Sequence, residues 1–252
     1  MISIHQSQFL PWIPYFYKIL KSDIFIIMDD VQYQKNGVQN RNTIKTPVGE
    51  SYVTIPIVSK STSLINEVTI LNAIHLSKFL KTLTNNYSKA RYFDIVFNRI
   101  KNLIEQNNYI KLDDFNKDLI FLIFDLIDVD VQIRYSSEFS LTTKKDDLVL
   151  DLILASGEKF YITGSGGLDY MDLDKFYKND IEIYQYDFKY KPYTQLWEKH
   201  GFIKNLSIID LLFNDLNIEY NDLKDGEVEV DKYHSLYLEN FMNSSSLHFN
   251  RD

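Results

Sequence analysis

The stretch from residue 1 to residue 57 constrains this chain most. Two apolar runs, 1–5 and 23–28, each stop in a cluster of polar, reactive side chains. After the first come His5, Gln6 and Gln8; after the second come Asp29, Asp30 and Gln32. A short, near-continuous apolar run is expected of a strand buried on both faces of a parallel sheet. Sheets of that kind present their ligand sites beyond the carboxyl ends of the strands. The stretch therefore predicts a site at those ends, with the rest of the chain supporting or closing it.

The remaining elements follow from spacing. Pro14 can open a helix in its first turn, and Tyr15, Ile19 and Leu20 set its apolar side, with Lys18 and Lys21 expected opposite. Residues 34–42 are polar and contain Gly37, hence loop; 47–49 read as a turn before a third strand at 51–58. Apolar residues near a 3.6 period predict helices over 73–87, 92–105 and 112–127, the last with Asp113 as its N-cap. Together they form a helical layer or subdomain. A strand at 129–135, a helix at 146–155 stopped by Gly157 and strands at 160–163 and 181–186 come next. Ser207 caps a helix over 208–213, with Asp210 placed as the acid of a capping box. The chain reads as one α/β domain over 1–221, with a mostly parallel Rossmann-like sheet and a helical segment at 73–127. Residues 222–252 form a polar, acidic tail, mobile at least in part. No internal repeat is present.

Composition narrows the function. The 252 residues carry a net charge of −8 and no basic stripe, which argues against wrapping nucleic acid. The absence of Cys excludes disulfides, thiolate metal sites and thiol nucleophiles. Five His without ligand spacing leave no metal site in view. No apolar run spans a bilayer and no secretory leader opens the chain, so a soluble cytoplasmic protein is expected.

Four constellations carry chemistry. His5, flanked by Gln6 and Gln8, is a general base with an ordinary imidazole pKa, a phosphate ligand, or a structural pin for its loop. Trp12 and Tyr15 offer a stacking surface or core. Asp29 and Asp30 can orient a base, hold Mg²⁺ or bind hydroxyls, although neighbours on a strand point to opposite faces; a solvated strand end is the plain alternative. Asn40, Arg41 and Asn42, with Lys35 and Lys45 and with Gln39 beside them, offer a guanidinium fork, ammonium groups and amides for a phosphorylated, hydroxyl-rich ligand, or else form a solvated loop. Thr163-Gly164-Ser165-Gly166-Gly167 matches neither dinucleotide nor P-loop spacing; it is a weak phosphate loop or a tight turn. On this reading His5, Asp30 and Arg41 surround one pocket. No nucleophile elbow is present.

The motif His5-Gln6-x-Gln8-x-Leu10-Pro11-Trp12, with Asp29-Asp30-Val31-Gln32, Asn40-Arg41-Asn42 and Lys45, resembles the WbqC family of bacterial surface-polysaccharide clusters. Tyr161-x-x-Gly164, Tyr170, Tyr193-x-Gln195 and the run from Leu206 to Asn214 are similar to that family's later motifs. The resemblance covers nearly everything up to Asn221; it departs at Ser7, where the family has Pro, and at Pro14, where it has Gly. It implies a role in making O-antigen or a related glycan, beside enzymes of amino-sugar nucleotides. Strand, His, loop and helix in this order also resemble nucleotidylyltransferase folds, in which a second His at the helix start binds ATP phosphates; here Tyr15 or Lys18 occupies that region.

The expectation is a transferase acting on a nucleotide-linked amino sugar, by N-acyl or aminoacyl transfer to the sugar amine. His5, Asp29 and Asp30 are its candidate catalytic residues. Gln6, Gln8, Trp12, Tyr15, Lys18, Gln32, Gln39, Asn40, Arg41, Asn42, Lys45, Gly164, Ser165 and Tyr170 are its candidate binding residues. The partners are the nucleotide sugar and a small-molecule donor, with a homo-oligomer open. No tightly bound cofactor is expected, and a nucleotide co-substrate with Mg²⁺ is left open. The alternatives are a glycosyltransferase and a non-catalytic sugar-binding subunit.

Overall fold

The structure is a computed structural model and describes residues 1–168, 171–186, 188–216 and 228–229. Strand β1 (Ile2–Gln6) leads into helix α1 (Ile13–Leu20) and strand β2 (Ile24–Met28). An insertion follows: the hairpin β3 (Arg41–Thr46) and β4 (Gly49–Thr54), the short pair β5 (Ile57–Val58) and β6 (Thr69–Ile70), then α2 (Ile74–Tyr87), α3 (Phe93–Gln106) and α4 (Leu112–Leu126). The chain returns through β7 (Gln132–Tyr135), α5 (Lys145–Ser156), β8 (Phe160–Thr163), α6 (Ser165–Leu168), α7 (Leu173–Tyr177), β9 (Glu182–Tyr186) and α8 (Ile208–Asn214), and β10 (Val228–Glu229).

The main sheet has the order β10-β9-β8-β1-β2-β7. Its five strands β9, β8, β1, β2 and β7 are parallel, and β10 joins the edge antiparallel. This is the α/β, Rossmann-like sheet the apolar runs announce. The chain runs outward from β1 through β2 to β7, then crosses back to β8 on the other flank of β1 and runs outward again to β9. The winding therefore reverses between β1 and β8, which is a topological switch point.

Strand alternation divides the core. Phe25 and Ile27 of β2 pack with α1, the helical insertion and α8. Ile26, with Ile2 and Ile4 of β1, packs on the opposite side with α5 and α7. By the same alternation His5 projects to the α1 side. No helix among the described residues is long and apolar enough to cross a membrane.

Several expectations shift. The strand expected at 51–58 forms, but as β4 of the hairpin and as β5, outside the main sheet, and Arg41 and Asn42 open β3 rather than lying in a loop. Asp113 is not the N-cap of α4. Lys111 occupies that position, while Asp113 lies buried in the first turn. Ser207 does cap α8, accepting from the Ile209 amide at 3.3 Å, but Asp210 closes no capping box because its oxygens accept from Tyr87 and Tyr193. Gly157 closes α5 with φ +76°, as expected of a left-handed cap. Lys18 is not on a solvent face: every residue of α1 is buried, because the helix is covered on both sides. The acidic tail and Tyr170 lie outside the described residues, apart from the two residues of β10.

Candidate functional site at the switch point

A cavity of about 690 Å³ opens at the carboxyl ends of β1, β2, β8 and β9. Register explains its floor. Gln6 pairs with Met28, Ile162 with Ser3, and Thr163 with Gln185, so β1 and β2 end level while β8 stops two residues short of them, beside Ile4. His5 and Gln6 enter from β1, Tyr15 and Lys18 from α1, Thr163, Gly164 and Gly167 from β8 and the turn after it. Phe188, Tyr190 and Asn205 close the cavity from the irregular segment between β9 and α8, where the Tyr190 hydroxyl donates to Asn205 Oδ1 at 2.8 Å.

The loop that carries His5 to Trp12 is held from outside. Ser7 N donates to the Met28 carbonyl at 3.1 Å and Phe9 N to the Val38 carbonyl at 3.0 Å. Leu10 has φ +43°, an unfavourable backbone for a residue with a Cβ. Asn42 Nδ2 donates to the Leu10 carbonyl at 2.8 Å and holds the strained turn in place. Trp12, half-buried, then begins α1 and lines the cavity. Gly167 is required by space: a Cβ there would lie 2.3 Å from Thr163 Oγ1.

Two titratable groups face this space. His5 Nδ1 lies 3.1 Å from the Gln8 amide nitrogen and 3.3 Å from the Gln6 carbonyl. The first contact makes Nδ1 an acceptor and the second makes it a donor, so both neutral tautomers have a partner. Burial pushes the imidazole pKa down to about 3, helped by the Lys18 charge and opposed by the Gln6 carbonyl. The ordinary imidazole pKa expected from sequence is therefore corrected: His5 is neutral at every working pH, because its protonated form would be desolvated beside an ammonium. Lys18 is 3% exposed and donates to the Ile4 carbonyl at 2.8 Å. Burial alone pulls its pKa to about 7. Among the described residues no carboxylate pairs with it. Tyr15, edge-on to the His5 ring at 5.1 Å, is pushed upward by burial.

The cavity thus brings together His5, Gln6, Trp12, Tyr15, Lys18 and Gly164. Gln8 supports His5 from behind, and Gln39 Nε2 donates to Gln6 Oε1 at 2.8 Å without lining the space. Ser165 lies in the turn after Gly164, within α6.

The other candidates are not brought in, so the expectation that His5, Asp30 and Arg41 share a pocket is corrected. Asp29 is 2% exposed, and its carboxylate accepts from Lys117 at 2.8 Å and from Ser137 Oγ at 3.0 Å. Burial disfavours its charge, yet Lys117 and the Ser137 bonds hold its pKa below the usual range. Asp30 accepts from Ser136. With both oxygens engaged inside the protein, Asp29 has none free for a divalent ion. Arg41 donates to the Asn36 carbonyl and stacks on Tyr52 at 4.5 Å. Asn40 joins Tyr33 to Ile55, and Gln32 donates to the Ser61 carbonyl. Lys45, 1% exposed, donates to Gln195 Oε1 and the Gly201 carbonyl beside a separate cavity of about 260 Å³.

Sequence reading missed Gln185, Tyr190 and Asn205. Gln185 was within reach of the rule that found His5, since it is a polar residue near the end of an alternating strand. Tyr190 and Asn205 lie in irregular chain with no local signal.

Fold and cavity define a Rossmann-like α/β protein with an open cavity at its switch point. The family profile that matches, over residues 6–220, is that of the WbqC-like protein family, and the chain belongs to that family. It is similar to Uncharacterized protein Rv1507c of Mycobacterium tuberculosis, 30% identical over 216 residues, which covers 84% of this chain and 93% of that protein.

Proposed function

We propose that the switch-point cavity binds a nucleotide-linked amino sugar and that the protein transfers an acyl or aminoacyl group to the sugar amine, in the making of a surface polysaccharide. The observation that carries this reading is the position of a cavity of about 690 Å³ at the reversal between β1 and β8. The volume suits a drug-sized or nucleotide-sized ligand. Its lining supports the same reading. Trp12 and Tyr190 offer ring faces, Gln6, Gln185 and Asn205 offer amides for hydroxyls, and Lys18 offers a cation.

The reaction needs a neutral amine. An ammonium entering a desolvated space beside Lys18 loses its proton more readily than in water. As the amine attacks the acyl carbonyl, a C–N bond forms, the donor's leaving group departs and one N–H proton must leave. Neutral His5 is the acceptor for that proton. A glycosyltransferase that relies on a divalent ion would want a carboxylate in this space, and no Asp or Glu is among the described lining residues. That favours acyl transfer.

The test is to incubate the protein with UDP- or dTDP-linked 4-amino sugars and acyl thioester or ATP-plus-carboxylate donors, and to read the sugar nucleotide mass. An acyl increment that requires the protein is expected. Binding of the nucleotide sugars without any increment across the donor panel would reduce the protein to a sugar-binding subunit.

A further inference from the structure

The cavity is chemically one-sided. Of its described lining residues, Lys18 alone has a side chain that can carry a positive charge near neutral pH. His5 on β1 is neutral, and Tyr15 on α1, Tyr161 on β8 and Tyr190 beyond β9 are all pushed up by burial, so they are neutral too. From β2, Phe25 presents only its ring, 6.0 Å from Nζ. The Ile4 carbonyl takes one of the three ammonium protons. An ammonium this buried, with no carboxylate partner among the described residues, lowers stability. Groups held at such a cost concentrate where ligands bind.

We propose that Lys18 is the anion receptor of this cavity, pairing with the diphosphate of the ligand, and that the protein takes up a proton as that ligand binds. The inference rests on the function proposed above and adds to it the group that recognises the nucleotide's charge. Its physical basis is linkage. An amine with a pKa of about 7 is half neutral at pH 7. An anion bound against it favours the charged form, so binding draws a proton from solvent. The uptake has a definite sign with pH. It is small at pH 6, where Lys18 already carries its proton, about half a proton at pH 7, and about 0.9 at pH 8.

Calorimetry reads this without any variant. UDP-glucose and dTDP-glucose carry a diphosphate diester with no group titrating near neutrality. Each is titrated into the wild-type protein at pH 6, 7 and 8, in two buffers of different ionisation enthalpy. Proton uptake that rises with pH is expected. Lys18→Met should lose about tenfold or more in affinity, and Lys18→Arg, always charged, should bind with no uptake. Sulfate, which does not titrate in this range, is the control probe. Nucleotide sugars that bind with no buffer dependence would overturn the proton-coupled receptor and leave the proposed function standing. If sulfate binds with uptake while neither nucleotide sugar binds, the receptor stands and the nucleotide reading falls. If neither probe binds, both fall.

Discussion

The ends of β1 and β2 look alike in sequence and differ in what their polar atoms do. At β1, His5 and Gln6 line open space, and Lys18 beside them bonds, among the described residues, to a backbone carbonyl alone. At β2, the Asp29 and Asp30 carboxylates are taken up by Lys117, Ser136 and Ser137. The first end keeps hydrogen-bonding capacity in reserve. The second spends it inside the protein to tie β2 to the turn after β7 and to α4. A polar cluster after a buried strand therefore marks a site only when its capacity is unspent.

That comparison can be broken from the structural side first. Lys117 lies between Asp29 and Asp113 at 2.8 Å from each. Burial opposes its charge, yet the two carboxylates hold its pKa above the ordinary value, while burial outweighs Lys117 at Asp113 and raises that group. Lys117→Met leaves buried carboxylates without their cation and should cost about 3–5 kcal/mol in urea unfolding. Ligand affinity of the folded fraction should not change.

Next in size is His5→Gln. A base held neutral down to about pH 3 is weak, so the loss of turnover should be about 10²-fold, the low end for such groups. Melting temperature and affinity should stay near wild type. A variant that melts early, with activity falling only in step with folded protein, would show that His5 merely pins its loop.

Gly167→Ala should cost about 1–3 kcal/mol, since the new methyl meets the stiff, β-branched Thr163. Adding Thr163→Ala should restore much of it, a departure from additivity that two independent sites would not show. Smallest of all is Arg41→Ala. The side chain is used on the Asn36 carbonyl and Tyr52, so nucleotide-sugar affinity should stay within about 0.5 kcal/mol of wild type. A larger loss would return the hairpin to the site.

Legibility in the sequence followed the range of the forces. The apolar runs at 2–4 and 24–28 need only local patterning, and both are strands of the main sheet. His5, Trp12 and Gly164 were readable because strand ends and turns mark themselves. The roles of Asp29, Asn42 and Lys45 were not, because their partners Lys117, Leu10, Gln195 and Gly201 lie far along the chain or in irregular loop. Lys18 was among the candidate binding residues, but its burial escaped for a related reason. A short helix with Lys18 inside it and Lys21 at its end looks amphipathic until Lys18 is seen to reach the Ile4 carbonyl of β1 and Phe188, from the segment between β9 and α8, to pack on Tyr17.

The position of β1 bears on the order in which the molecule comes into being. Ile2 pairs with Ile24 on one flank and with Tyr161 on the other. The first pairing closes a short loop through α1; the second must wait for most of the chain and close a long one, which is entropically slower. The His5 half of the cavity is then built early and stands open until β8 and Gly164 arrive. Pulse-labelled hydrogen exchange should find β1 and β2 amides protected before those of β8 and β9, and simultaneous protection would refute this order. A ligand spanning β1 and β8 would act as a late staple, slowing unfolding more than it speeds folding.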